Sequence, residues 1–271
     1  MAEKVATILL GWNDGKLLPE VLDSLINQTY PHRVFYVDDG STDNSVEIVK
    51  SYGIEDISLL ERKKRVYGGF PILAENVNTG LRMIEGQNFD YFIVTGSDIV
   101  WERDYVRKIT SRFQQDPIMV IASGAVEGEY TVESAPRGAG RTIKTSWFNC
   151  HIGKFPHSFL WESYPVFKAQ SLGYHTRRFT DIHMKALRPT RGYKPIYGYA
   201  MRELGYLPLY AYARCFLGFL RNREGGVQMF RTYRTNLEPL DPELAEWIRR
   251  YQTTHIRTVL KPSQLVKTLI K

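Results

Sequence analysis

Cysteine is scarce in this chain of 271 residues: there are two, Cys150 and Cys215. They lie far apart and match no metal or redox spacing. That excludes a disulfide framework and leads us to expect free thiols in a reducing compartment. No apolar run is long enough to cross a bilayer. The best candidate, residues 204–220, is short and interrupted by Gly205, Pro208, Arg214 and Gly218, where a span needs about 20 apolar residues. No signal-peptide pattern is present either; Met-Ala-Glu-Lys runs straight into an apolar strand, so a cytoplasmic protein is expected. Glycine and proline, at 21 and 13 residues, are too few for a fibrous or broadly disordered chain. Internal repeats and low-complexity tracts are absent.

What is present is 43% apolar residues, enough to bury one sizeable core and a small appendage. The net charge of +7 is uneven: residues 186–271 carry 15 Lys+Arg against 6 Asp+Glu, and residues 1–185 carry 21 against 23. A basic tail on a near-neutral core suits an anionic partner, a nucleic acid or an anionic membrane surface, and equally a solvated basic face with no partner. The tail carries no recognised nucleic-acid motif, and its aromatics cluster with Leu and Ala as a core would. We therefore expect no nucleic-acid partner. Residues 204–220 fit a buried helix and an interfacial one with snorkelling Arg202, Arg214, Arg221 and Arg223 equally well.

Apolar runs at Val5–Leu10, Val34–Val37, Ile57–Leu60, Tyr91–Val94 and Met119–Ala122 read as strands. Helical spacing marks Leu17–Ile26, Ser45–Tyr52, Ile72–Ile84 and Tyr105–Gln114. Pro19 fits a first helical turn, and Ser41, Thr42 or Asp43 fits a helix cap. Alternating strands and helices predict an α/β fold with a mostly parallel sheet covered by helices on both faces. Residues 124–155, rich in Gly, Ser and Thr, read as a long loop with one hairpin at most. Arg188-Pro189-Thr190-Arg191-Gly192 reads as a boundary, giving a domain over 1–187 and a basic, aromatic helical extension over 188–271. Within the extension, Tyr193–Arg221 and Pro242–Tyr251 are expected to be helical.

In a parallel sheet, ligands bind beyond the carboxyl ends of the strands. Leu10-Gly11-Trp12-Asn13-Asp14-Gly15 and Val37-Asp38-Asp39-Gly40-Ser41-Thr42-Asp43 fall there. Adjacent carboxylates at a strand end suit a donor-rich ligand such as a nucleobase imide or ribose hydroxyl. Each stretch also fits an ordinary turn, with Ser41 to Asp43 serving the helix.

Together these stretches resemble the opening of the family-2 glycosyltransferases of the GT-A fold. The resemblance runs through Ser24-Leu25, Gln28-Thr29-Tyr30-Pro31 and Asp38–Asp43, and continues at Gly68-Gly69 and Asn78-Thr79-Gly80-Leu81. It covers about residues 4–185. It implies a Rossmann-like nucleotide-binding sheet with Trp12, Asn13, Asp38, Asp39, Gly69, Asn78 and Ser97 around the donor nucleotide. The basic run Arg62–Arg65 suits phosphate contact or simple solvation. The family's Asp-x-Asp metal motif aligns with Gly96-Ser97-Asp98: Asp98 keeps the last acid and Gly96 replaces the first. The resemblance thus implies Mg²⁺ or Mn²⁺ on Asp98. The family's acceptor-side Glu-Asp aligns with Glu162-Ser163, followed by Lys168-Ala169 and Gly173-Tyr174, which makes Glu162 the candidate base; its alternative is a helix-start acid. His183, ahead of Arg188 and Arg191, suits the metal shell or the diphosphate, although a lone histidine also suits a structural role.

The expected function is an inverting, metal-dependent transfer of a sugar from a nucleoside-diphosphate sugar to an acceptor hydroxyl of a glycan or lipid-linked precursor, on a cytoplasmic enzyme peripheral to the membrane. The losses at Gly96 and Ser163 keep a second reading open: a non-catalytic nucleotide-sugar-binding module or partner subunit.

Overall fold

In a computed structural model of the chain, the described residues are 3–60, 70–130, 132–189 and 197–259. Ten helices and eight strands are described. In chain order they are β1 (Val5–Gly11), α1 (Leu18–Ile26), β2 (Arg33–Asp38), α2 (Ser45–Ser51), β3 (Ile57–Leu59), α3 (Phe70–Ile84), β4 (Tyr91–Gly96), β5 (Ile99–Trp101), α4 (Tyr105–Gln115), β6 (Met119–Val126), β7 (Arg141–Lys144), α5 (Thr145–His151), α6 (Tyr164–Ser171), β8 (His175–Ala186), α7 (Tyr197–Glu203), α8 (Pro208–Arg221), α9 (Arg223–Tyr233) and α10 (Pro242–Val259). The chain divides into two compact units, Met1–His157 with Trp161–Thr190 and Ser158–Leu160 with Arg191–Lys271.

The first unit is a mixed α/β sheet in the order β3-β2-β1-β4-β7-β6-β8-β5. The pairs β1–β2, β1–β4, β2–β3 and β6–β8 are parallel; β4–β7, β6–β7 and β5–β8 are antiparallel. Strand alternation sends successive side chains to opposite faces. Val5, Leu9, Tyr36, Tyr91 and Ile93 therefore meet α1 and α4 in one core, through Leu18, Leu22, Leu25, Val106 and Ile109. Ala6, Ile8, Phe35, Val37, Phe92 and Val94 meet α3, α5 and α6 in the other, through Ala74, Val77, Trp147, Phe148 and Val166. The unbroken apolar strands follow from burial on both faces. Gly80 lets α3 lie close on β1, since a Cβ there would overlap the Ile8 side chain.

The long loop expected over 124–155 is corrected by the structure. β6 runs on to Val126, and β7 and α5 follow. β7 offers one large apolar residue, Ile143, too little for a period-2 signal. The fold reason for α5 lies far away in sequence: Phe148 packs edge-on against Phe92 of β4 at 5.1 Å, a geometry worth about 0.5–1.5 kcal/mol beyond area burial.

In the second unit, the single helix expected over 193–221 is two helices. Gly205, at φ +66, turns the chain between α7 and α8, and Pro208 starts α8. The helix α9 was not foreseen. Asn222 ends α8 and caps α9, its side chain accepting from the Gly225 N–H at 3.1 Å. Met201, Ala211, Cys215, Met229 and Tyr233 form the core. α10 is tied in by the Leu207 N–H donating to Gln252 at 2.9 Å and by Arg249 donating to the Gly205 carbonyl at 2.8 Å. Both cysteines are free thiols.

One polar contact inside the first unit depends on protonation. Thr7, fully buried on β1, meets His32 Nδ1 at 2.7 Å, while His32 Nε2 meets the Leu25 carbonyl at 2.8 Å. The neutral ring with its proton on Nε2 satisfies both. Burial pushes the His32 pKa below 6.5, against the opposing pull of the Leu25 carbonyl. The unfolded chain therefore takes up this proton first, and the stability it contributes is lost as pH falls below the unfolded value. Between pH about 7.5 and about 5.5, wild type should lose more stability in urea titrations than His32→Gln; equal losses would contradict a buried neutral ring.

Candidate functional site

The site is built on the end of β1. Leu10 pairs with Gly96 of β4, and Gly11 with Asp38 of β2. One residue further, the Ser97 N–H donates to the Leu10 carbonyl at 3.0 Å and the Asp39 N–H to the Gly11 carbonyl at 2.9 Å. Neighbouring strands lie about 4.8 Å apart. The β2 and β4 tips, with Asp38-Asp39 on one and Ser97-Asp98 on the other, therefore flank β1 about 10 Å from each other.

The loops after β1 and β2 are stitched together. Asn13 stands at φ +51, a left-handed conformation that asparagine tolerates. Its N–H donates to Ser41 Oγ at 2.9 Å, and its side-chain oxygen accepts from the Thr42 N–H at 2.7 Å. The Asp14 N–H donates to Ser45 Oγ at 2.9 Å, and the Gly15 N–H to Asp43 at 3.0 Å. Asp43 also accepts from the Ser45 N–H at 3.0 Å, at the start of α2. Burial raises the Asp43 pKa, but the donors from Ser45 and Gly15 prevail and hold it below the usual value.

Asp38 and Asp39 are both buried. Asp38 accepts from the Ser41 N–H at 2.7 Å, Ser41 Oγ at 2.5 Å and the Tyr36 hydroxyl at 3.1 Å. It is thus the anchor of its own turn. Gly11 is required beside it, because a Cβ would overlap the Tyr36 ring on its way to Asp38. Burial, then the Asp38 charge, pushes the Tyr36 pKa up and keeps the phenol a donor. Trp12 is half-buried, and its N–H donates to Asp14 at 3.2 Å.

Asp14 was passed over as a turn residue, yet it joins the tips. It is buried, receives the Ser97 hydroxyl, and pairs with the guanidinium of Arg188. Its one sequence signal is a carboxylate three residues beyond a buried strand. Asp98 is half-buried next to Ser97, and its carboxylate lies back over Gly96, where a Cβ would stand 2.9 Å from Oδ1. Burial raises its pKa against the pull of Arg137.

Glu162 stands on the far side of β4. Arg141, opposite Val94 in the β4–β7 ladder, is buried. It donates to the Glu162 and Pro136 carbonyls, the second at 2.8 Å, and lies 3.9 Å from the Glu162 carboxylate. Burial, Arg137 and Arg178 lower the Arg141 pKa, and Glu162 opposes them. The Glu162 carboxylate lies across Gly138, filling the space a Cβ would take. It remains about one-third exposed, at 32%.

Two expected residues lie apart from this cluster. His183 is exposed and faces Glu102: its N–H donates to Glu102 Oε1 at 3.0 Å and its carbonyl accepts from the Glu102 N–H at 3.2 Å. Asp98 instead pairs with Leu187. The β5–β8 ladder thus holds His183 four residues away from Asp98, and the structure does not bring the two together. Among the described residues, no three His, Cys, Asp or Glu side chains gather as metal ligands. Asn78 uses its side-chain amide to clamp the Phe155 backbone, donating to the carbonyl and accepting from the N–H, each at 2.8 Å. It lines a groove between α3 and α5, near the start of β4, with Arg82, Asn88, Ser146 and Lys154. Gly68, Gly69, Arg62–Arg65 and Arg191 lie outside the described residues.

The sequence profile of Glycosyl transferase family 2 matches residues 8–186. The chain belongs to that family. It is 27% identical over 122 residues to Glycosyltransferase GlyG of Streptococcus pneumoniae, 45% of this chain and 38% of that protein. It is 32% identical over 80 residues to the Poly(ribitol-phosphate) beta-glucosyltransferase of Bacillus spizizenii, 28% of this chain and 11% of that one. The matches therefore span well under two thirds of these curated relatives. The mannosyltransferase PcManGT from Pyrobaculum calidifontis, solved with GDP-Man and Mn²⁺, superposes at TM-score 0.58 with 18% identity, over 99% of this chain and 84% of that one. Staphylococcus aureus TarS, residues 1–349, superposes at 0.56 with 17% identity, over 73% and 63%. These likenesses carry the GT-A fold of the family.

Arg141 gives a direct check on the β7 side of the site. Arg141→Leu removes the partner of two carbonyls, so stability should fall by about 2–3 kcal/mol in denaturant titration. An unchanged midpoint would contradict the bonding described.

Proposed function

We propose that the protein transfers a sugar from a nucleoside-diphosphate sugar to an acceptor hydroxyl of a glycan or lipid-linked precursor, with inversion. The observation that carries this reading is the meeting of the β1, β2 and β4 ends, which sets Asp39 and Asp98 on either side of one strand tip. Neighbours of the same fold solved with UDP-GlcNAc and with GDP-Man and Mn²⁺ support a nucleotide-sugar donor.

Asp39, Trp12 and the loop ordered by Asp38 and Asn13 face the nucleoside. Asp38 contributes by fixing the Ser41 turn. Ser97 and Asp14 hold the β4 tip, and Arg188 supplies positive charge beside it. Asp98 suits a divalent cation: partial burial destabilises its carboxylate as an anion, and Mg²⁺ is commonly held by one or two carboxylates together with substrate phosphates and water. Such a cation supplies charge compensation for the departing nucleoside diphosphate. Glu162 accepts the acceptor hydroxyl proton as that oxygen bonds to the sugar carbon and the bond to the diphosphate breaks. Arg141 orients Glu162 by donating to its backbone carbonyl, with the guanidinium 3.9 Å from the carboxylate.

Two variants test the roles. Asp98→Ala should weaken Mn²⁺-dependent binding of nucleoside diphosphate in calorimetry; unchanged heats with and without Mn²⁺ would remove the metal role. Glu162→Gln should keep donor binding while turnover falls about 10²–10⁴-fold, and full activity would take Glu162 out of the mechanism. If wild type binds nucleotide sugars yet releases no nucleoside diphosphate from any donor, the replacements at Gly96 and Ser163 mark a binding module instead.

A further inference from the structure

The second unit carries a surface the transfer reaction does not use. On α8, Leu209, Tyr212, Phe216, Leu217 and Leu220 are all exposed, from 45% at Tyr212 to 70% at Leu209. At 100° per residue they form one stripe, opposite the buried Ala211 and Cys215. On α9, Val227 and Phe230 are exposed too, and the Tyr212 ring meets Phe230 at 5.7 Å, so the two apolar faces are continuous. A contiguous exposed apolar surface of this kind marks an interaction site.

Its border is basic. Arg214 and Arg221 run beside the α8 stripe, and Arg223, Arg231 and Arg234 stand among Val227 and Phe230, all exposed. α8 contains no acidic residue, and α9 has Glu224 alone. Arg223 lies over the Phe219 ring at 5.9 Å and Arg234 over the Phe230 ring at 5.7 Å. Apolar stems and rings beneath charged heads are the arrangement of side chains at a lipid–water boundary.

We propose that the α8–α9 face docks in the plane of an anionic bilayer surface. No described helix is long and apolar enough to cross a membrane, which leaves insertion of the stripe to the headgroup boundary. Charge decides among occupants. A second copy meeting this face symmetrically would set its arginines against the same arginines. A nucleic acid would answer the arginines but leave Leu209, Phe216 and Leu220 in water. Anionic lipid answers both.

The test uses the full chain and vesicles of phosphatidylcholine with or without phosphatidylglycerol. Wild type is expected to co-sediment with the anionic vesicles, to be released by salt, and to bind phosphatidylcholine alone roughly tenfold or more weakly. Phe216→Glu with Leu220→Glu is expected to lose binding by roughly tenfold or more. Circular dichroism of the double variant checks its fold. Wild type left in the supernatant with anionic vesicles at low salt would overturn the proposal, as would equal sedimentation of the double variant. A dimer in light scattering that the double variant abolishes would assign the face to a second copy and overturn it as well. Vesicle binding and nucleotide binding read different residues, so either can fail without the other.

Discussion

Two hydrogen bonds at the end of β1 govern the site. The carbonyls of Leu10 and Gly11 are successive acceptors on one strand, and they take the N–H groups of Ser97 and Asp39 from the strands on either side. A backbone acceptor buried at a strand end must be paired, so these bonds fix where both acidic loops leave the sheet. The rest follows from that register. Asn13 can stitch to Ser41 and Thr42, Asp14 can reach Ser97, and Asp98 is set beside the same tip. Moving β2 or β4 by one residue would turn every side chain at the tip to the other face.

The charges are arranged around this frame with a division of labour. Asp38 and Asp43 are occupied by donors of their own loop and make it rigid. Asp14 bridges Ser97 and Arg188 across the β1–β4 gap. On the β7 side, Arg137 and Arg141 stand near Asp98 and Glu162, and burial, with a smaller contribution from neighbouring arginines, lowers the Arg141 pKa. Rigid acidic loops on one side of the β1 tip and guanidinium groups on the other suit a ligand with hydrogen-bond donors at one end and phosphate at the other.

Much of this was legible in the sequence. The apolar runs of β1, β2 and β4 are short, continuous and bounded by turn residues, as strands buried on both faces should be. The acidic and glycine clusters at their ends needed only the rule that such sheets bind ligands there. β7 and α5 were hidden because long-range packing of Phe148 on Phe92, rather than local pattern, makes them. Gly205 split one expected helix because a left-handed residue ends α7, and a glycine inside an apolar stretch does not announce its φ. For His183 the family resemblance offers the metal shell or the diphosphate; antiparallel register, which no local pattern announces, sets its backbone opposite Glu102. Asp14 was missed because spacing cannot say which turn carboxylate is buried. Asn78 is likewise recognisable by spacing, but its clamp on the Phe155 backbone belongs to tertiary contact.

The most direct measurement is a crystal structure of the protein soaked with a nucleoside diphosphate and Mn²⁺. The nucleotide is predicted to lie over the end of β1, with its base and ribose beside Asp39 and its diphosphate toward Asp98. Nucleotide density in the groove between α3 and α5, or anywhere that leaves the β1 end in solvent, would contradict it.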